Sequence, residues 1–154
     1  IEPDYRGCVI YSPFDEKSDE LARKFNDALI KTFKKIYGAD LCMGSKLPSI
    51  FMKAKLKQIE AYAYMLPTSP LTWEDKYSIS ELVEYYRKSL PGLTSWSDEE
   101  RKAMEEYGIS REEFEEYLNK TVKRIKSIVK NPEKMRTNAF ISMRSFFVVV
   151  GKKP

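Results

Sequence analysis

Apolar residues recur every three to four positions over most of this chain, which is the pattern of amphipathic helices. Leu21, Phe25, Ala28, Leu29, Thr32, Phe33 and Ile36 keep that period from Ser12-Pro13, a capping residue followed by a first-turn proline, to the stop at Gly38. The other face, with Lys24, Asp27, Lys31, Lys34 and Lys35, reads as solvated. Met52, Leu56, Ile59, Ala63 and Leu66 form a second stripe, predicting a helix that opens at Pro48 and ends before Pro67. Drawn on that helix, Tyr62 and Tyr64 lie beside the stripe. This assigns them, with Tyr85 and Tyr86, to the core edge or a subunit contact rather than to base stacking.

Pro67 to Trp73 reads as a loop, since two prolines in four residues deny the backbone a regular ladder. Three S-x-x-E capping boxes follow: Ser78 with Glu81, Ser97 with Glu100, and Ser110 with Glu113. The helices they open are expected to stop at Leu90-Pro91-Gly92, at Tyr107-Gly108 and at Asn131-Pro132. The last runs over Arg111–Lys130 with Phe114, Leu118, Thr121, Val122, Ile125 and Val129 inward. Only the ends look different. Arg6–Tyr11 and the stretch around Phe146–Val150 are β-branched and aromatic, and the two either pair or leave 132–154 as a projecting basic arm. The expected fold is therefore mainly α: one helical domain over 1–154, a bundle of about five helices with short extended or β segments at the N- and C-termini.

Composition narrows the chemistry. With 154 residues, 42% hydrophobic and 32% charged, the chain is globular rather than disordered, and its Lys, Glu, Tyr and Ile usage suits a thermophile. The absence of histidine removes the commonest general base and metal ligand, and with them every Ser-His-Asp or Cys-His arrangement. Cys8 and Cys42 allow at most one disulfide, read as two buried thiols, and with no histidine they are too few to build a structural zinc site from this chain alone. No catalytic residue, metal site or cofactor is assigned. A carboxylate-dependent enzyme using acids such as Asp40, Glu60, Glu74 and Asp75 is the residual catalytic alternative. The longest apolar run, Phe146–Val150, is too short to span a bilayer, and no secretory signal is visible, so a cytoplasmic or virion location is expected.

Charge changes the picture most. Residues 120–154 hold ten of the 27 Lys and Arg against one acid, Glu133, a local excess of +9, whereas the seventeen basic and twenty-two acidic residues before position 120 leave −5. Such asymmetry points to an anionic or self-complementary partner. Lys120–Lys130 suit the C-terminal half of a helix whose dipole favours cations there. The residues with no such account flank the β-like end. Candidate nucleic-acid-binding residues are Lys123, Arg124, Lys134, Arg136, Arg144, Lys152 and Lys153, with Lys46, Lys53 and Lys57 in support, all contacting backbone phosphates without reading bases. The acidic block 98–116 of one copy facing the basic 120–153 block of another gives a homo-oligomer. An acidic protein surface is the other anionic partner, which makes the chain a regulator of a nucleic-acid-processing complex.

Ala103–Phe114 has the glycine and apolar spacing of a helix-turn-helix. Glu112, Glu113, Glu115 and Glu116, however, stand where phosphates would approach, so a plain helical corner is expected. A charged, capped bundle with a basic flank and the turn Glu106–Ile109 (E-Y-G-I) resembles the coat proteins of linear, filamentous archaeal DNA viruses. That resemblance, carried by the four-residue turn and the layout, implies a helix-bundle capsid subunit that wraps DNA.

Overall fold

The computed structural model describes residues 2–11, 16–68, 79–132 and 141–153. Its first long helix, α1 (Glu16–Tyr37), inserts Leu21, Phe25, Ala28 and Thr32 into the interior, as their spacing dictates, and Gly38 at φ +64° lies directly beyond it. A 3₁₀ turn at Gly44–Lys46 leads into the short α2 (Leu47–Lys53). Farther on come α3 (Ile79–Thr94), α4 (Asp98–Glu106) and α5 (Arg111–Lys130). The protein is mainly α, with five helices and strands at both termini.

Two of the three capping boxes form in full. The Ser97 and Ser110 hydroxyls accept the backbone N–H of Glu100 and Glu113 at 3.2 Å, and those glutamates accept the serine N–H in return at 2.7 and 2.8 Å. Ser78, the third, lies outside the described residues. Between α4 and α5, Gly108 takes φ +97°, and the N–H groups of Gly108 and Ile109 bond to the carbonyls of Glu105 and Met104. This six-residue stop buries Ile109 against Met104, both fully enclosed, so the turn Glu106–Ile109 is an ordinary helical corner. The core grows around it: Phe25 stacks on Tyr117 with ring centroids 4.0 Å apart, and Trp96 meets Phe114 edge-on at 5.2 Å.

α3 does not stop at Leu90-Pro91-Gly92 but runs on to Thr94 with Pro91 inside it. Thr94 Oγ1 donates to the Pro91 carbonyl at 3.1 Å, which helps close the last turn. The larger correction concerns Pro48–Leu66. Helix persists only to Lys53, and Lys57–Thr68 is a strand, β2, so Met52 is exposed rather than core. Leu56, Ile59, Ala63 and Leu66 suit a helical stripe, but Ile59, Ala61 and Ala63 also alternate with Glu60, Tyr62 and Tyr64. What decides between them is a distant partner strand.

That partner is β3 (Ile141–Lys152), central in an antiparallel sheet of order β1-β3-β2, where β1 is Glu2–Tyr11. The chain's two ends thus pair, with Tyr11 opposite Ile141 and Glu2 opposite Phe147, and 141–152 is an interior strand instead of an arm. The sheet is tied to the helices through Asp4, whose buried carboxylate accepts the Ser45 N–H at 3.2 Å, and through Tyr5, whose carbonyl accepts from Asn26 at 2.8 Å. Cys42 is buried nearby in sequence to this junction, while the side chain of Cys8 lies outside the described set.

Candidate nucleic-acid interface

The end of α2 sets the geometry of the basic surface. Its C-terminus closes with the Lys55 N–H bonded to the Met52 carbonyl and the Leu56 N–H to that of Phe51, a stop that needs a left-handed residue at position 55. Glycine is the usual occupant, yet here Lys55 takes φ +57°. Phe51 and Leu56, brought together by the stop, close on the backbone of Gly151. A Cβ at position 151 would meet Phe51 Cδ2 at 3.2 Å and Leu56 Cβ at 3.3 Å. This close approach fastens Lys53–Lys57 to the last residues of β3.

β2 then carries a bulge. Lys57 pairs with Lys152 and Glu60 with Val150, so Gln58 and Ile59 oppose Gly151 alone, and Gln58 sits at φ +50°. By simple alternation Lys57 would point away from Glu60, Tyr62 and Tyr64. The extra residue brings it onto their face, directly opposite Lys152 and in line with Val150 and Val148. Two lysines in register across a strand pair repel each other, at a cost of about 0.2–1 kcal/mol. Lys53, Lys55 and Lys153 are exposed at the same end, and among the described residues no ion pair involves any of these five.

Beyond the lysines the same face is aromatic. Tyr62 and Tyr64 are 46% and 52% exposed and Val150 53%. The Tyr62 hydroxyl donates to Glu60 at 2.7 Å, and that bond to a carboxylate raises the phenol's pKa above its ordinary value.

The seven residues singled out from sequence do not form one surface. Lys152 and Lys153 belong to this sheet end. Arg144 occupies β3 opposite Leu66, about 27 Å along the strand from Lys152. Lys123 is exposed on α5, and Arg124 lines a groove of about 180 Å³ between α1 and α5 with Lys120, Ser18 and Asp19. α5 packs on α1, α3 and α4 and makes no contact with the sheet among the described residues. Lys134 and Arg136 lie outside those residues. Lys46 pairs with Asp40, whose carboxyl is held below the usual carboxylate range by that lysine and by the Cys42 N–H, so Lys46 is engaged elsewhere. Sequence reasoning missed Lys55 altogether. The signal that marks it is the K-x-K-x-K run over Lys53–Lys57, whose outer two lysines are among the supporting candidates above.

Four of the nine acids in the 98–116 block are engaged by side chains of other elements. Lys24 reaches Glu113 at 2.5 Å, Lys35 binds Glu106, Arg101 binds Glu115, and the Tyr37 hydroxyl donates to Glu100 at 2.8 Å. α1's charged face stays exposed, as its spacing predicts, and two of its lysines, Lys24 and Lys35, form a seam of ion pairs with α5 and α4. Of the acids weighed for catalysis, Asp40 and Glu60 are bonded as above, and Glu74 and Asp75 fall outside the described residues. Among the described residues, no three potential ligands come together to hold a metal, and no helix is long and apolar enough to cross a membrane. No protein-family model matches this chain, and no curated protein matches it.

Proposed function

We propose that this protein is a binding module that grips nucleic acid through backbone phosphates, using the lysines gathered at the end of the β2–β3 pair. The observation that carries the reading is the Lys57–Lys152 pair. A cross-strand pair of like charges weakens the sheet, neither lysine has an ion-pair partner among the described residues, and a polyanion bridging the two ammonium groups would reverse the sign of the interaction. Lys130, in the last turn of α5, has a simpler account, because a cation at a helix C-terminus favours the helix itself. With no histidine in the sequence, a binding role is preferred to a catalytic one.

Self-assembly through acidic and basic blocks draws less support, since four of the nine acids in the 98–116 block already have partners in other elements of the chain. The coat-protein reading rests on a turn whose glycine and isoleucine are explained by helix termination.

Two double variants test the assignment. Lys57→Ser with Lys152→Ser should weaken binding to any nucleic acid at low salt, whereas Lys123→Ser with Arg124→Ser should change it little. A protein that binds no nucleic acid at low salt, or loses affinity only with the α5 variant, would overturn the proposal.

A further inference from the structure

The sheet face that begins with Lys57 and Lys152 continues into Tyr62 and Tyr64, and its chemistry changes from cationic to aromatic along one strand. The two tyrosines are separated by a single alanine, so both project from the same face about 7 Å apart. Val148 stands opposite Tyr62, Val150 follows it on the same face of β3 opposite Glu60, and each tyrosine is about half exposed. On the other face of β2 the corresponding positions are Ala61 and Ala63, also exposed but with nothing to stack on.

Flat, accessible rings beside unpaired cations suit an occupant with both π-faces and phosphates. A duplex does not fit that description. Its bases already stack on one another at 3.4 Å per strand and offer no face to a ring. Platforms about 7 Å apart match a strand whose bases are splayed, one on each tyrosine. Glu60, the one acid of the described residues on this face, accepts the Tyr62 hydroxyl and lies between the lysines and the rings. Its charge repels phosphate from the aromatic end, which favours the backbone on the lysine side and bases on the tyrosines.

We infer that the open face of the β2–β3 pair is a single-strand binding platform, in which Lys57 and Lys152 hold phosphates and Tyr62 and Tyr64 each stack an unpaired base. The inference rests on the phosphate-binding reading above and adds to it the state of the strand that is bound. Sequence preference should be weak, because every base has a face to stack.

The test compares a labelled oligothymidylate with a duplex of the same length, at fixed salt, by fluorescence anisotropy. The single strand should bind more tightly. Tyr62→Ala and Tyr64→Ala should each lower its affinity roughly 5- to 150-fold while leaving duplex binding unchanged, and Tyr62→Phe and Tyr64→Phe should retain most of it. Both rings are exposed, so the variants are expected to melt as the parent does, and thermal melting checks this. Equal affinity for both forms with no effect of the alanine variants overturns the platform, while the lysine proposal survives if the Lys57→Ser, Lys152→Ser protein is still weakened. Binding to neither form sinks both. If the alanine variants instead abolish concentration-dependent self-association seen by sedimentation, the face is a contact with a second copy and the platform is refuted.

Discussion

Replacing Lys57 and Lys152 together by serine separates a lost phosphate contact from a damaged fold, because the two consequences have opposite signs. Five exposed lysines cluster at the sheet end: Lys53, Lys55, Lys57, Lys152 and Lys153. If each neutralises one phosphate of a single strand, log affinity should fall with log salt at a slope of about −3.5, and removing two should leave about −2.1. Between about 50 and 200 mM salt the parent then loses about 130-fold in affinity and the variant only about 18-fold. Meanwhile the variant sheds a cross-strand repulsion worth about 0.2–1 kcal/mol, so its thermal midpoint should hold or rise. Anisotropy titrations across a salt series give the slope, and differential scanning calorimetry gives the midpoint. An unchanged slope, or a slope that falls together with a lower midpoint, would refute the phosphate assignment.

Further expectations concern the scaffold. Lys55→Gly relieves a left-handed lysine at the close of α2 and should raise stability by about 0.5–1 kcal/mol in urea unfolding, while weakening nucleic-acid binding through the lost charge. A loss of stability would show that position 55 is not left-handed in solution. Ser110→Ala removes the N-cap of α5 and should cost about 1 kcal/mol, read from the shift in urea midpoint, and no shift would mean that the capping box contributes nothing. Acid should destabilise the protein through the α1 seam. Lys24 lowers the pKa of Glu113 and Lys35 that of Glu106, so the native state holds fewer protons than the unfolded chain. That stability is complete above the ordinary carboxylate value of 4.5 and is lost as pH falls through the depressed native values. Thermal midpoints should be flat above that point and fall below it, and Glu113→Gln should flatten part of the fall.

Local signals carried much of this fold. The capping boxes at Ser97 and Ser110, the stop at Gly108 and the span Arg111–Lys130 are all short-range chemistry, in which a hydroxyl, a carboxylate or a missing Cβ satisfies backbone groups a few residues away. The β-branched and aromatic runs at both ends were legible as extended segments, but the sequence left open whether they pair or project as an arm, and pairing is what the structure shows. β2 was different. Its residues satisfy a helical and an alternating pattern equally well, and only pairing with β3, some ninety residues away, selects the strand.

The candidate site depended on that selection. By itself the sequence determined that the chain is mainly helical, lacks histidine chemistry and carries an excess of positive charge toward its C-terminus. Tertiary structure alone decided where the charge is usable. It bound part of the acidic block to α1, separated α5 from the sheet, and through one bulged residue turned Lys57 to face Lys152 beside two exposed tyrosines. Sequence spacing records local periods, whereas a surface is made by which distant segments hydrogen-bond and in what register. A one-residue shift in that register moves every later side chain to the opposite face.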